Sequence, residues 1–268
     1  MAWLKWICIG VVGLYLAAII YVYFAQRKFM YFPPPEPIPQ DEFVGRILPI
    51  TVEGIGDINS IYKAPSTKDA PVILFIHGNG SAAHHYEDYY DAFASWGAGY
   101  LGVEYPGYAA NVGTPNEDDI LRTALANYDA LIAKGIQPKN IIIFGHSLGA
   151  AIAVHVAKER EGAGLVLGSP FLSMSAMSHL QMPFFPTSLF LKDTYRSDQR
   201  IAFVTAPLLV LHGGMDELIP FSQGRALYDL HKGDKNFVLI KNGQHMLWGI
   251  EMAAHIKEFI AIHRSDKF

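Results

Sequence analysis

The 268-residue sequence has one cysteine, Cys8. That excludes an internal disulfide and any cysteine-based metal knuckle, and it carries no information on the redox compartment. Charge is also scarce: Asp, Glu, Lys and Arg make up 17% of the chain, and the net charge is -4 at pH 7. With a pI near 6.2, nothing suggests the basic face that a nucleic-acid backbone requires, so no nucleic-acid partner is expected. The eleven histidines are scattered and no H-E-x-x-H spacing occurs, which disfavours a zinc hydrolase. No G-x-G-x-x-G or P-loop follows a strand, so no nucleotide cofactor is expected, and the reading is of a protein without cofactor or metal. What the chain does have is apolar surface, at 51% hydrophobic residues and a mean hydropathy of +0.18. Wholesale disorder is thereby excluded, and the apolar excess has to be located.

It lies at the N-terminus. Trp6 to Ala25 reads WICIGVVGLYLAAIIYVYFA, with no charge between Lys5 and Arg27. As a helix rising 1.5 Å per residue, this matches a hydrocarbon core of about 30 Å. Trp3, Trp6, Tyr21 and Tyr23 fall towards its ends, where aromatic rings favour the headgroup region, and Lys5, Arg27 and Lys28 can snorkel to water. A cleaved signal peptide has a shorter apolar run followed by a small-x-small site, and VYFAQR offers none. The expectation is a retained single-pass anchor over residues 1–28. Gly10 and Gly13 do not form a GxxxG pair, so no dimerisation face is implied. The positive-inside rule, with only Lys5 to weigh against Arg27 and Lys28, places the following domain in the cytoplasm. An N-terminal anchor ahead of a large domain commonly keeps its short tail inside instead, and the reading leans to an exported domain.

After the anchor, Pro33 to Phe43 (PPPEPIPQDEF) is too proline-rich for helix or central strand. It reads as a stiff spacer that lifts the domain off the surface, within a linker over 29–45. From 46 to 268, short apolar runs alternate with helix-compatible stretches, the pattern of a mostly parallel sheet covered by helices on both faces. Strands are expected at Val72–Ile76, Tyr100–Glu104, Ile141–Phe144, Leu165–Leu167, Leu208–Leu211 and Phe237–Ile240. Two earlier ones, around Ile47–Val52 and Ile58–Tyr62, should form an antiparallel edge, which makes eight strands. Asn116 to Lys134 predicts a helix opened by a capping box of Thr114 and Glu117, with Pro115 at the first position, and closed at Gly135. Further helices are expected after Ser147, at Ser222–Leu230 and at Leu247–His263, with His84 and His85 on a helix start.

The chemistry-bearing residues sit at strand ends. After IIIF comes Gly145-His146-Ser147-Leu148-Gly149, then a small-residue helix. This G-x-S-x-G turn holds a serine in strained backbone at the top of a sheet, with the helix N-terminus aiming N–H groups at a developing oxyanion. A serine needs a base, and the base needs an orienting acid. After LLVL comes a loop with Asp216, whose neighbour Glu217 is the alternative acid, and after FVLI comes a loop with His245. The chain order Ser147, Asp216, His245 is that of an α/β hydrolase. After VILFI comes His77-Gly78-Asn79-Gly80, and the expected oxyanion donors are the N–H groups of Asn79 and Leu148. His77 reads as a structural hydrogen-bonder.

With FIHGNGS, VEYPGYAANVGTPNE, FGHSLGA, SPFLSM, APLLVLHGGMDELIP and NGQHMLW in this order, the chain resembles the α/β-hydrolase superfamily. Within it, the chain is similar to the N-terminally anchored, small-lid serine hydrolases called serine-aminopeptidase-like or α/β-hydrolase domain proteins. The resemblance implies Ser147, Asp216 and His245 as the triad. One departure is Ala109-Ala110-Asn111, where relatives continue with a glycine and a serine. Between strand six and the acid, residues 171–201 suit a short lid of two small helices, and Phe171, Met174 and Met177 are candidates to line an acyl pocket. The expected activity is hydrolysis of carboxylic esters, acyl or lipid-like, with the membrane as partner through the N-terminal helix. The alternatives are a peptidase or amidase with the same triad, using Glu104 or Glu217 to recognise an amine, and a catalytically silent membrane-linked binding module.

Overall fold

The structure, a computed structural model, describes residues 2–39, 45–247 and 249–264. Eight strands form one sheet: β1 (Arg46–Val52), β2 (Gly56–Lys63), β3 (Val72–Ile76), β4 (Gly99–Val103), β5 (Ile141–His146), β6 (Gly164–Gly168), β7 (Leu208–Gly213) and β8 (Lys235–Ile240). Their spatial order is β1-β2-β4-β3-β5-β6-β7-β8. The β1–β2 and β2–β4 pairs are antiparallel and all the others parallel. This is the α/β-hydrolase fold expected from the sequence.

β3, β4, β5 and β6 are buried along their whole length, because helices cover both faces, and their side chains are apolar or small but for Tyr100 and the terminal His146 of β5. Alternate residues of β3 serve two cores. Val72, Leu74 and Ile76 pack with α3 (Glu117–Ala133) and α4 (Leu148–Glu159). Ile73 and Phe75 pack with α2 (Glu87–Ser95), where Phe75 meets Tyr90 and Phe144 edge to face, and with α8 (Ile250–His263). Beyond β6 lies a lid of α5 (Met174–Gln181) and a 3₁₀ turn, Thr187–Leu189, before α6 (Ser197–Arg200) and then α7 (Phe221–Leu230). A helical element starts at the two histidines, as a 3₁₀ turn over Ala83–Tyr86.

The capping-box expectation is corrected. Asn116, not Thr114, caps α3: its side chain accepts the N–H of Asp119 at 3.0 Å, and Pro115 lies before the helix. Glu117 cannot reach back to Thr114 because it is engaged elsewhere. It accepts the N–H groups of Thr194 and Tyr195 at 2.6 and 2.9 Å and pairs with Arg200 at 2.9 Å.

The spacer expectation is corrected too. Its residues 40–43 lie outside the described residues, but the preceding stretch is docked rather than free. The N-terminal helix α1 (Ala2–Met30) runs two residues past its expected end. Tyr31 is buried and its hydroxyl bonds that of Tyr195 at 2.8 Å. Ile38 is buried, and the Ala109 N–H donates to the Pro34 carbonyl at 3.0 Å. Proline removes backbone donors but keeps carbonyls and apolar rings, which here find partners on the domain.

That contact falls on the Ala109-Ala110 departure, where both alanines are left-handed, with φ of 48° and 59°. Ala110 is exposed, so Ala110→Gly removes the strain without losing packing. The substitution is expected to raise stability by about 0.5–1 kcal/mol, read as a higher thermal midpoint in detergent. An unchanged or lower midpoint would contradict this account.

Candidate active site

The parallel strands all end on one side, and there the loops after β3, β5, β7 and β8 converge, as is general for such sheets. After β5 the chain turns so sharply that Ser147 adopts φ 55°, ψ -118°. Its N–H donates to the Gly168 carbonyl at 2.9 Å. The turn fits because both flanking residues are glycine: a Cβ at Gly145 would run into the Gly149 carbonyl, and one at Gly149 into the Ile76 carbonyl.

His245 Nε2 is 3.0 Å from Ser147 Oγ, and its Nδ1 is 2.9 Å from Asp216 Oδ2. Of the two neighbouring acids, Asp216 is thus the one that meets the imidazole, while Glu217 is exposed. Asp216 Oδ1 accepts the N–H groups of Leu218 and Ile219 at 3.0 and 2.8 Å. Burial opposes ionisation of this carboxyl, but the bonds from His245 and Ile219 outweigh it and bring it down to about 2. The loops carrying Asp216 and His245 lie in backbone contact: Met215 N–H donates to Gly243 O at 2.9 Å. Only glycine fits at 213, where a Cβ would meet the Gly243 and Gln244 carbonyls.

Two further histidines, which the sequence reading left without a role, steady this arrangement. His146 is buried, which lowers it to about 4 and keeps it neutral. Its Nε2–H donates to the His245 carbonyl at 3.0 Å, and Ser169 Oγ donates to the same carbonyl at 3.3 Å. His212 is buried and lowered for the same reason, and it donates to the Ile219 carbonyl at 2.9 Å, fastening the turn that holds Asp216. The signal for His146 was its position, the variable residue before the serine in the turn.

Leu148 opens α4, so its N–H is among the four that a helix leaves unpaired. Asn79 and Leu148 both border the space beside Ser147. The Asn79 side chain is tied to the end of α1: its Nδ2 donates to the Met30 carbonyl at 2.6 Å, and its Oδ1 accepts from Phe32 N–H at 3.1 Å and Tyr108 Oη at 2.7 Å. His77 is buried and bonds Glu104 at 2.8 Å.

Ser147 and His245 open into a cavity of about 590 Å³, within the usual size of a small-molecule site. Phe171, Met174 and Met177 lie on its wall, as do Leu218, Ile219 and Met246. Part of the wall was not foreseen: Val22, Gln26, Phe29 and Met30 of α1. They recur at helical spacing, but inside a uniformly apolar segment that spacing carries no signal. No Asp or Glu is among the described residues lining the cavity. Glu104 is fully buried and accepts the Ala83 and Tyr105 N–H groups besides His77, so it faces away from any substrate. Among the described residues no group of three or more His, Cys, Asp or Glu could hold a metal.

The fold and this strand-end arrangement define a class, and the chain belongs to the α/β-hydrolase superfamily. Residues 67–197 match the family described as serine aminopeptidase, S33. An uncharacterized protein of Mycobacterium tuberculosis is 31% identical over 262 residues, covering 94% of this chain and 93% of its own. Alpha/beta hydrolase domain-containing protein 17C of Homo sapiens is 34% identical over 169 residues, 62% of this chain, and the match spans 49% of the human protein's length. An esterase of Pyrococcus furiosus superposes with a TM-score of 0.69 over 85% of this chain and 98% of its own, at 19% identity, a likeness of fold. The chain is a hydrolase of this family.

Proposed function

We propose that the protein is a membrane-anchored serine hydrolase that cleaves carboxylic esters with acyl or lipid-like groups. The observation that carries the reading is the relay from Asp216 through His245 to Ser147 at the end of a largely apolar cavity with no carboxylate among the described residues that line it. Ser147 Oγ attacks the ester carbonyl carbon and passes its proton to His245 Nε2. The tetrahedral oxyanion is held by the N–H groups of Asn79 and Leu148. His245 then gives the proton to the leaving alcohol oxygen as the C–O bond breaks. Water repeats the sequence on the acyl-enzyme: it loses a proton to His245, adds to the carbonyl, and releases the acid as Ser147 regains its proton. Asp216 fixes the proton of His245 on Nδ1, so that Nε2 faces the serine.

Esters are favoured over aminopeptide substrates by the same wall. A free amino terminus calls for a buried or lining carboxylate, and Glu104 is committed to His77 while Glu217 lies outside the cavity. Support for the anchor comes from α1, which is long and apolar enough to cross a membrane and whose most apolar stretch is not buried in the protein at all.

The test is fluorophosphonate labelling of wild type, Ser147→Ala and His245→Ala, with p-nitrophenyl esters and aminoacyl-anilides assayed on the same samples. Wild type is expected to label and both variants to stay unlabelled, with esters turned over far faster than anilides. Folded wild type that does not label would end the catalytic reading, and an excess of anilide hydrolysis would turn it to a peptidase. Extraction of the wild type by alkaline carbonate would end the anchor reading.

A further inference from the structure

Two segments about 166 residues apart in sequence turn from apolar to charged at the same height. Along α1 no Asp, Glu, Lys or Arg occurs from Trp6 to Gln26, and charge begins at Arg27; from Gly162 through the lid to Leu191 there is none either, and charge begins at Lys192 and Asp193. The two boundaries are joined. Arg27 donates through Nε and Nη2 to Asp193 at 2.8 and 2.9 Å, and the Lys192 ammonium lies 4.4 Å from the centroid of the Tyr23 ring.

From that level towards the start of α1, helix and lid meet through aromatic rings and uncharged hydrogen bonds. The rings of Tyr23 and Phe190 are 6.5 Å apart, and those of Tyr15 and Phe185 are 6.0 Å apart. Arg27 to Tyr15 is twelve residues, or about 18 Å of helix. The lid therefore lies alongside α1 for more than half of a hydrocarbon core of about 30 Å. Along this stretch of the lid Phe184, beside Tyr15, and Leu189 are 85% and 84% exposed.

A loop can sit in hydrocarbon only where its backbone groups find partners within the protein, and most of the N–H groups from Met182 to Leu191 do. Met182, Phe185, Thr187, Leu189, Phe190 and Leu191 donate their N–H groups to lid carbonyls. Pro183 and Pro186 have none to place. The Phe184 carbonyl accepts from Tyr15 Oη at 2.8 Å, and the Phe190 carbonyl from Gln26 Nε2 at 3.3 Å. The cavity follows the same seam. Val22, which lines it, lies five residues before Arg27, so the cavity extends about 7 Å to the apolar side of the charged level.

We propose that the lid tip around Phe184 and Leu189 is immersed in the leaflet beside α1, and that the cavity takes its substrate sideways from that leaflet. The substrate class is an ester whose long acyl chain is already dissolved in the membrane. The proposal rests on the anchored-esterase reading above.

The test uses the full chain in phosphatidylcholine vesicles. Phe184→Glu/Leu189→Glu places charge on two exposed side chains outside the cavity wall. Hydrolysis of p-nitrophenyl palmitate carried in the vesicles is expected to fall at least about tenfold, with p-nitrophenyl acetate in water held within about twofold, because only the first depends on immersing the lid. Equal losses on both esters, or none on either, would overturn the proposal. A second arm needs no activity: Phe184→Cys in a Cys8→Ser chain carries a bimane label. Quenching by acyl-chain nitroxide lipids and not by iodide is expected, and the reverse pattern refutes immersion. If Ser147→Ala hydrolyses acetate as wild type does, the esterase reading fails, while the quenching result still decides where the lid lies.

Discussion

Replacing Asp216 with asparagine is expected to lower kcat on p-nitrophenyl acetate by about 10⁴-fold while leaving the fold intact. The reason is the division of labour between the two carboxylate oxygens. Oδ1 accepts from the Leu218 and Ile219 N–H groups, and Oδ2 faces His245 Nδ1. An asparagine has one oxygen, and two backbone donors hold it at the Oδ1 position. Its NH₂ group then faces Nδ1 and donates to it, which moves the imidazole proton to Nε2, where it points at Ser147 and cannot accept the serine proton. Stopped-assay kcat together with a thermal melt checks this; a loss under about tenfold with an unchanged melt would show that the acid does not set the tautomer. The same hydrogen bonds predict where acid does not act. With its folded pKa held near 2, below the ordinary 3.8, Asp216 stays ionised down to that value. Its contribution to stability is complete above the unfolded value and is lost only as pH falls through about 2.

Gly149→Ala is expected to destabilise the protein by about 3 kcal/mol or more. Here α4 begins so close to β3 that the added Cβ would overlap the Ile76 carbonyl and press on that of His77, both of them backbone. Neither can step aside cheaply: Ile76 is paired across the sheet with Val103 and Gly145, and the His77 carbonyl accepts from Tyr105 Oη at 2.5 Å. The relief available is for α4 to lift away, which draws Ser147 off His245. A melt in detergent should therefore drop by several degrees, and fluorophosphonate labelling should fall at temperatures where the protein is still folded. Unchanged stability would mean that helix and strand do not pack this closely.

The sheet was legible because its central strands are buried on both faces and so appear as unbroken apolar runs, VILFI, IIIF and LLVL, each ending in a glycine-rich loop. The order of Ser147, Asp216 and His245 was legible because each follows an apolar run, buried for the first two and the half-buried edge strand FVLI for the third, and the structure brings Ser147 and Asp216 each within hydrogen-bonding distance of His245. What was not legible depended on partners distant in sequence. Glu117 looked like the far half of a capping box until residues 194, 195 and 200 claimed its carboxylate. The linker looked free because Tyr195 and Ala109, the partners of its Tyr31 and Pro34, share no local pattern with it. Nor does an apolar helix record which of its faces meets a lid.

The attachment of Asn79 to Met30 and Phe32 bears on how the protein can be handled. A shortened chain starting after Phe32 would be the natural choice for work in water. It would lose two of the partners that fix the Asn79 side chain, the Arg27 mate of Asp193, and the side of the cavity made by Val22, Gln26, Phe29 and Met30. Rates and selectivities measured on such a trimmed chain would describe a different protein, with the Asn79 loop less firmly held and one wall of the cavity missing.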